Sequence, residues 1–199
     1  MTPTIVYLHG FRSSPASVKA RALAAAVDAL PASRRPRLHV PMLGFAPKAA
    51  VAEVAAWVGR EVDDPARDVT FVGSSLGGFY ATHLAEALGA RAVLVNPAVR
   101  PYADLAAYVG EQTNLHSGEP FEVLPSHFDE LRALAVRRLA RPERYFLLVQ
   151  TGDEVLDWRE AVAFYGGAFQ SVEGGGDHGF QRFDAHIPAL LRFAGAGWT

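Results

Sequence analysis

The chain has 199 residues, half of them apolar and a fifth charged, with a formal net charge of −2. That composition suits a globular chain with a substantial core, and the charge gives no electrostatic footprint for nucleic acid or an anionic membrane. There is no cysteine, which excludes a disulfide scaffold, a thiolate metal site and a cysteine nucleophile.

The N-terminus runs from Met1 straight into a strand-like segment, without the basic start and apolar stretch of a signal peptide. No apolar run approaches the roughly 20 residues of a membrane span. The expectation is a soluble, cytoplasmic protein folded as one domain over residues 1–199.

Thr4 to Leu8 is a short apolar run rich in β-branched residues and reads as a buried strand. His9-Gly10-Phe11-Arg12-Ser13-Ser14-Pro15 is a loop by composition, and Ser17 to Leu30 is helical. Arg37 to Val40 is a second short strand. Pro47 can open a helix that reaches about Val62, where Asp63-Asp64-Pro65 breaks it. Val69 to Val72 is the third strand, and a helix follows to about Leu88, with Gly89 placed as its stop.

Ala92 to Val95 is the next strand. From Arg100 to about Pro142 the alternation of strand and helix lapses, apart from a helical-looking section from Phe128 to Leu139. This reads as a lid-like excursion over the strand ends. Tyr145 to Gln150 is another buried strand, Trp158 to Tyr165 a helix, Phe169 to Val172 a last strand and Phe183 to Phe193 a closing helix. The alternation predicts an α/β fold, a mostly parallel sheet with helices on both faces. Ligands of such sheets bind beyond the carboxyl ends of the strands. The polar residues that end these strands are therefore candidates for one site: His9, Ser75, Asn96, Asp153 and His178.

Gly73-Ser74-Ser75-Leu76-Gly77 lies between a predicted strand and a predicted helix. G-x-S-x-G in that setting is the nucleophile elbow of α/β-hydrolases, which projects a serine hydroxyl above the sheet edge at a helix N-terminus. A serine needs a histidine base, and the base needs an acid to orient it. In this fold the order is Ser, then Asp or Glu, then His. Asp153 just after a buried strand and His178 in a glycine-rich loop fit those places. His83 and His186 fall within helices, His39 in a strand, and His116 and His127 in the excursion. Glu154 and Asp157 compete with Asp153 for the acid, but Asp157 suits the cap of the following helix. The oxyanion hole is expected from the N–H groups of Leu76 and Phe11. His9 reads as a loop-shaping residue and Ser13 and Ser14 as turn residues.

Six stretches carry a family likeness. Leu8 to Pro15, Gly73 to Thr82, Asn96-Pro97-Ala98-Val99-Arg100-Pro101, Gly110-Glu111-Gln112-Thr113-Asn114, Gln150 to Asp157 and Val172 to His178 resemble the YqiA-like bacterial esterases, in order and over nearly the whole chain. The resemblance implies a small cytoplasmic α/β-hydrolase acting on short acyl esters and acyl-CoA thioesters, with Ser75, Asp153 and His178 at the triad positions. One departure is Asp177, where similar proteins are expected to have Asn. It puts a second carboxylate next to the histidine and bears on the pH optimum, not on the reaction.

The leading expectation is a serine esterase or thioesterase acting through an acyl-serine intermediate on a small-molecule ester. It needs no cofactor or metal, and neither a nucleic acid nor a membrane as partner. The alternatives are a peptidase-like serine hydrolase and a non-catalytic binding protein on the same scaffold. A dehalogenase would carry Asp at the elbow.

Overall fold

A computed structural model describes residues 2–196. Met1 and residues 197–199, the ends of the domain expected over 1–199, lie outside the described residues.

Six strands form one parallel sheet: β1 (Thr4–Leu8), β2 (Arg37–His39), β3 (Val69–Ser74), β4 (Arg91–Val95), β7 (Tyr145–Gln150) and β8 (Phe169–Glu173), in the order β2-β1-β3-β4-β7-β8. The strand period of two sorts the apolar side chains between the two faces. Ile5 and Tyr7 of β1 join Val72, Val93, Val95 and Leu148 against α1 (Val18–Asp28) and α8 (Phe183–Phe193). Val6 and Leu8 point the other way, with Phe71, Leu94 and Leu147, into a core built with α2 (Pro47–Glu61) and α4 (Leu76–Leu88). Two buried faces explain why β1, β3, β4 and β7 read as continuous apolar runs, whereas the edge strands β2 and β8 are half-exposed or exposed.

The predicted strands and long helices appear with boundaries shifted by two residues at most, apart from the excursion. β3 continues through Gly73 and Ser74, which pair with Leu94 and Val95, so the sheet carries the chain right up to Ser75. Asp63-Asp64-Pro65 ends α2 but also opens a four-residue helix, α3 (Pro65–Asp68), where Asp64 accepts the Arg67 N–H.

The excursion holds the main difference from expectation. It contains α5 (Pro101–Asp104) and an antiparallel hairpin of β5 (Gly110–Thr113) and β6 (Pro120–Val123). The hairpin leaves no apolar run because its residues are mostly half-exposed or exposed. The helix expected from Phe128 to Leu139 is α6 (Pro125–Leu134). It starts earlier because Pro125 is pre-set for a first helical position, and it stops where Ala135 turns extended. His83 Nδ1 lies 2.8 Å from the Leu134 carbonyl and satisfies that helix end from α4. α7 (Trp158–Phe164) begins at Asp157, which caps it through the Arg159 N–H. Among the described residues, no helix is long and apolar enough to cross a membrane.

Candidate active site

Ser75 sits between β3 and α4 with φ 55° and ψ −122°, a conformation costly for any residue with a Cβ. Its N–H bonds the Val95 carbonyl, and its own carbonyl receives the Gly78 and Ala98 amides. Backbone bonds on both sides thus hold the strained turn in place. The two flanking glycines are needed for close approach. A Cβ on Gly77 would lie 2.0 Å from the Leu8 carbonyl oxygen, and one on Gly73 would lie 2.2 Å from that of Gly77. The elbow packs directly on β1 because those side chains are missing.

His178 Nε2 lies 3.1 Å from Ser75 Oγ, and its Nδ1 lies 2.9 and 3.0 Å from the two Asp153 carboxylate oxygens. Residues 103 and 25 positions from His178 meet at one imidazole. The Asp153 side chain is 2% exposed and that of His178 is 23% exposed. Asp153 Oδ1 also receives the amides of Val155 and Leu156. Burial pushes the Asp153 carboxyl up, but the bond to His178, the two amides and the nearby imidazole outweigh it and hold the group below its ordinary value. Asp153 therefore stays ionised beside the imidazole, which fixes the Nδ1–H tautomer and frees Nε2 to face the serine.

The histidine's loop is clamped at three successive residues. Glu154 Oε2 accepts the His178 N–H at 2.9 Å. Buried Asn96, at the end of β4, donates through Nδ2 to the carbonyls of Asp177 (2.9 Å) and His178 (3.3 Å), while its Oδ1 accepts the Gln150 N–H. Lys19 Nζ donates to the Gly179 carbonyl at 2.7 Å. Gln150 also reaches under the loop and accepts the Gln181 N–H at 2.8 Å. Asp177 turns its carboxylate to Gln181 Nε2 at 2.9 Å, and the acid paired with the imidazole is Asp153.

The loop after β1 packs against the serine. A Cβ on Gly10 would come 3.2 Å from Ser75 Cβ. Among the described residues, the Phe11 N–H meets no backbone carbonyl. The Leu76 N–H stands at the first position of α4, where the helix offers no acceptor. His9 is 4% exposed; its Nε2 accepts the Leu43 N–H at 3.2 Å, with Nδ1 3.0 Å from the Gly10 carbonyl. It holds the loop and does not reach the serine. Burial lowers its pKa, against the Gly10 bond and with a further push from His116, so it is held neutral.

The hairpin braces this same loop. Asn114, 3% exposed, donates to the Ser13 carbonyl and accepts the amides of His116 and Ser117 at the hairpin tip. Arg12 Nε donates to the Thr113 carbonyl, and the Leu115 N–H donates to the Arg12 carbonyl. The Phe11 ring stands edge-on to Tyr108 and Phe121.

Ser75 and His178 open into a cleft of about 710 Å³. Its walls come from Gly10 and Phe11, from the first turns of α1, from the hairpin tip at Leu115 and His116, and from residues 177–184. Among the described residues, no group of three or more His, Asp or Glu is placed to hold a metal ion.

Three of the sequence-predicted residues, Ser75, Asp153 and His178, therefore meet at one point, and Phe11 and Leu76 lie beside it. Asn96 was legible as a polar strand end, but its role was not. Nothing local in the sequence points to Lys19, Gln150 or Glu154 as supports of the histidine loop.

A parallel sheet with a serine elbow after β3, an acid after β7 and a histidine after β8 defines the α/β-hydrolase fold. Solved structures share it. A protein from Agrobacterium vitis S4 matches with TM-score 0.74 and 20% identity, over 97% of this chain and 88% of that one. Mouse alpha/beta hydrolase domain-containing protein 10 matches with TM-score 0.70 and 19% identity, over 96% and 89%. An esterase domain from Rhodothermus marinus matches with TM-score 0.70 and 16% identity, over 98% and 88%. Within that fold, the chain belongs to the family described as Uncharacterised protein family UPF0227, whose model matches residues 4–195. This is the YqiA-like family that the sequence motifs resemble.

Proposed function

We propose that this protein is a serine esterase that cleaves small carboxylic esters, acyl thioesters included, through an acyl-Ser75 intermediate. The observation that carries the reading is the unbroken chain from Ser75 Oγ to His178 to Asp153, at 3.1 and 2.9 Å, on a strained elbow facing an open cleft. The similarity to an esterase domain from Rhodothermus marinus agrees with this reading.

In this reading His178 Nε2 takes the Ser75 proton as Oγ attacks the acyl carbon. The carbonyl oxygen gains the negative charge and is received by the Phe11 and Leu76 amides. As the tetrahedral adduct collapses, His178 gives its proton to the departing alcohol or thiol, and the acyl group remains on Ser75. Water then enters; His178 takes one of its protons as the water oxygen attacks the acyl carbon, and returns that proton to Ser75 Oγ as the bond to the acyl group breaks and the acid leaves. Asp153 stabilises the imidazolium in both halves and keeps its own charge. Buffering the imidazole this way is what turns a weak serine hydroxyl into a usable nucleophile.

The test is intact mass after incubation with a fluorophosphonate, run on wild type and Ser75→Ala, together with turnover of p-nitrophenyl esters and acyl-CoA thioesters. One adduct on the wild type and none on the variant is the expected result. A wild type that neither labels nor turns over any ester would overturn the reading and favour a binding protein.

A further inference from the structure

Lys19 is one of only two lysines in the chain, against 17 arginines. It occupies the first turn of α1, the end where a helix macrodipole disfavours a cation. It is half-buried in the wall of the cleft that holds Ser75 and His178. Its ammonium gives one of its three protons to the Gly179 carbonyl at 2.7 Å. Among the described residues, no carboxylate lies within 4 Å of it, so it has no ion pair. Asp177 and Asp153 act on it only from farther away, and burial makes its charged form costlier. A half-buried cation at the unfavourable end of a helix, with donors to spare and a cleft beside it, is a local rule broken at a functional place.

Its position also says which part of a substrate it would meet. His178 returns its proton to the leaving group, so that group lies on the histidine's side of Ser75, away from Phe11 and Leu76. Lys19 is tied to the residue that follows His178. The walls nearby are apolar, with Val18, Ala22, Phe180 and Phe183. Among the described residues, Asp177 and Asp184 line the same cleft, with Arg182 as a second permanent cation. A single ammonium in that setting suits a carboxylate monoanion; the two aspartates would oppose a phosphate dianion.

Building on the esterase reading above, we infer that Lys19 selects esters whose leaving alcohol or phenol carries a carboxylate close to the scissile bond. No new chemistry is required of the triad. The lysine binds the anion and the apolar walls hold the carbon frame between it and the ester.

The experiment compares 3- and 4-acetoxybenzoate with the matching uncharged acetoxybenzamides, and with 4-acetoxyphenyl phosphate, on wild type, Lys19→Met and Lys19→Arg. An acyl-side control is mono-p-nitrophenyl glutarate against p-nitrophenyl butyrate. The expected result is that Lys19→Met lowers kcat/KM for the better acetoxybenzoate about tenfold more than for its amide, chiefly through KM. Lys19→Arg should restore most of that difference, and the acyl-side pair should show no such split. Equal losses on charged and uncharged leaving groups would overturn the inference and leave Lys19 as a support of the histidine loop. A split on the acyl side, or a larger one for the phosphate, would overturn the assignment of side or of anion. A wild type that hydrolyses none of these esters would instead remove the esterase reading, and this inference with it.

Discussion

Asn96 holds His178 from below. Its Nδ2 bonds the carbonyls of Asp177 and His178, and its Oδ1 takes the Gln150 amide, so one buried side chain joins the ends of β4 and β7 to the loop after β8. Its φ of 41° is a conformation that asparagine tolerates better than most residues. Asn96→Ala should leave buried groups unpaired and cost about 2 kcal/mol. The freed loop should also lower kcat about 10²-fold through misplacement of the imidazole. Urea unfolding and steady-state kinetics check the two effects. Asn96→Gly should recover part of the stability by relieving φ, but not the rate.

The strain at Ser75 predicts a trade between stability and activity. Glycine adopts φ 55°, ψ −122° without a Cβ penalty, though it is freer in the unfolded chain. Ser75→Gly should be catalytically dead yet net more stable than wild type by about 1 kcal/mol. The midpoint of urea unfolding measures it. A midpoint below that of the wild type would mean that the elbow is not strained.

Asp153→Asn should cut kcat about 10³–10⁴-fold, because an amide can fix the wrong imidazole tautomer and cannot stabilise the imidazolium. The same carboxylate couples folding to pH. Its native pKa is depressed, so its stabilising effect is complete above the ordinary carboxylate value of about 3.9 and is lost as pH falls through the lower native value. Acid unfolding of the wild type should therefore be steeper than that of Asp153→Asn in that window. Parallel curves would show that the pairing adds nothing to stability.

His9 predicts a second pH effect, at higher pH. It is buried and neutral, accepting the Leu43 amide through Nε2. Its native pKa is lowered, so the unfolded chain takes up a proton first as pH falls below about 6.5. Stability should then drop down to the native value and level off below it. Gln at this position can offer an acceptor near Nε2 but does not titrate. The slope of stability against pH in that range should shrink in His9→Gln, read by thermal unfolding at a series of pH values.

Much of the site was legible in the chain. Ser75 stood out because Gly73 and Gly77 flank it between a strand and a helix, and the close contacts with Leu8 and Gly77 carbonyls explain why those residues are glycine. Asp153 and His178 followed from strand ends and chain order, and the structure puts both on one imidazole chain with Ser75. The hairpin from Gly110 to Val123 did not stand out, because a small two-stranded ribbon leaning on a loop buries no continuous face. The early stop of α6 was hidden as well, since its last carbonyl is satisfied by His83 from another helix.

The chain alone sets the layering of the fold and marks the place of the candidate site. Short apolar runs bounded by turn signals suit buried central strands, and a G-x-S-x-G between strand and helix suits a tight turn. Tertiary structure alone decided what holds the machinery still. Asn96, Gln150, Glu154, Lys19 and Asn114 support the site through hydrogen bonds to backbone groups 24 to 160 positions away. Such bonds follow no local period and bury little apolar surface. They arise only when the fold brings a polar side chain against a loop whose own carbonyls and amides have no strand or helix to satisfy them.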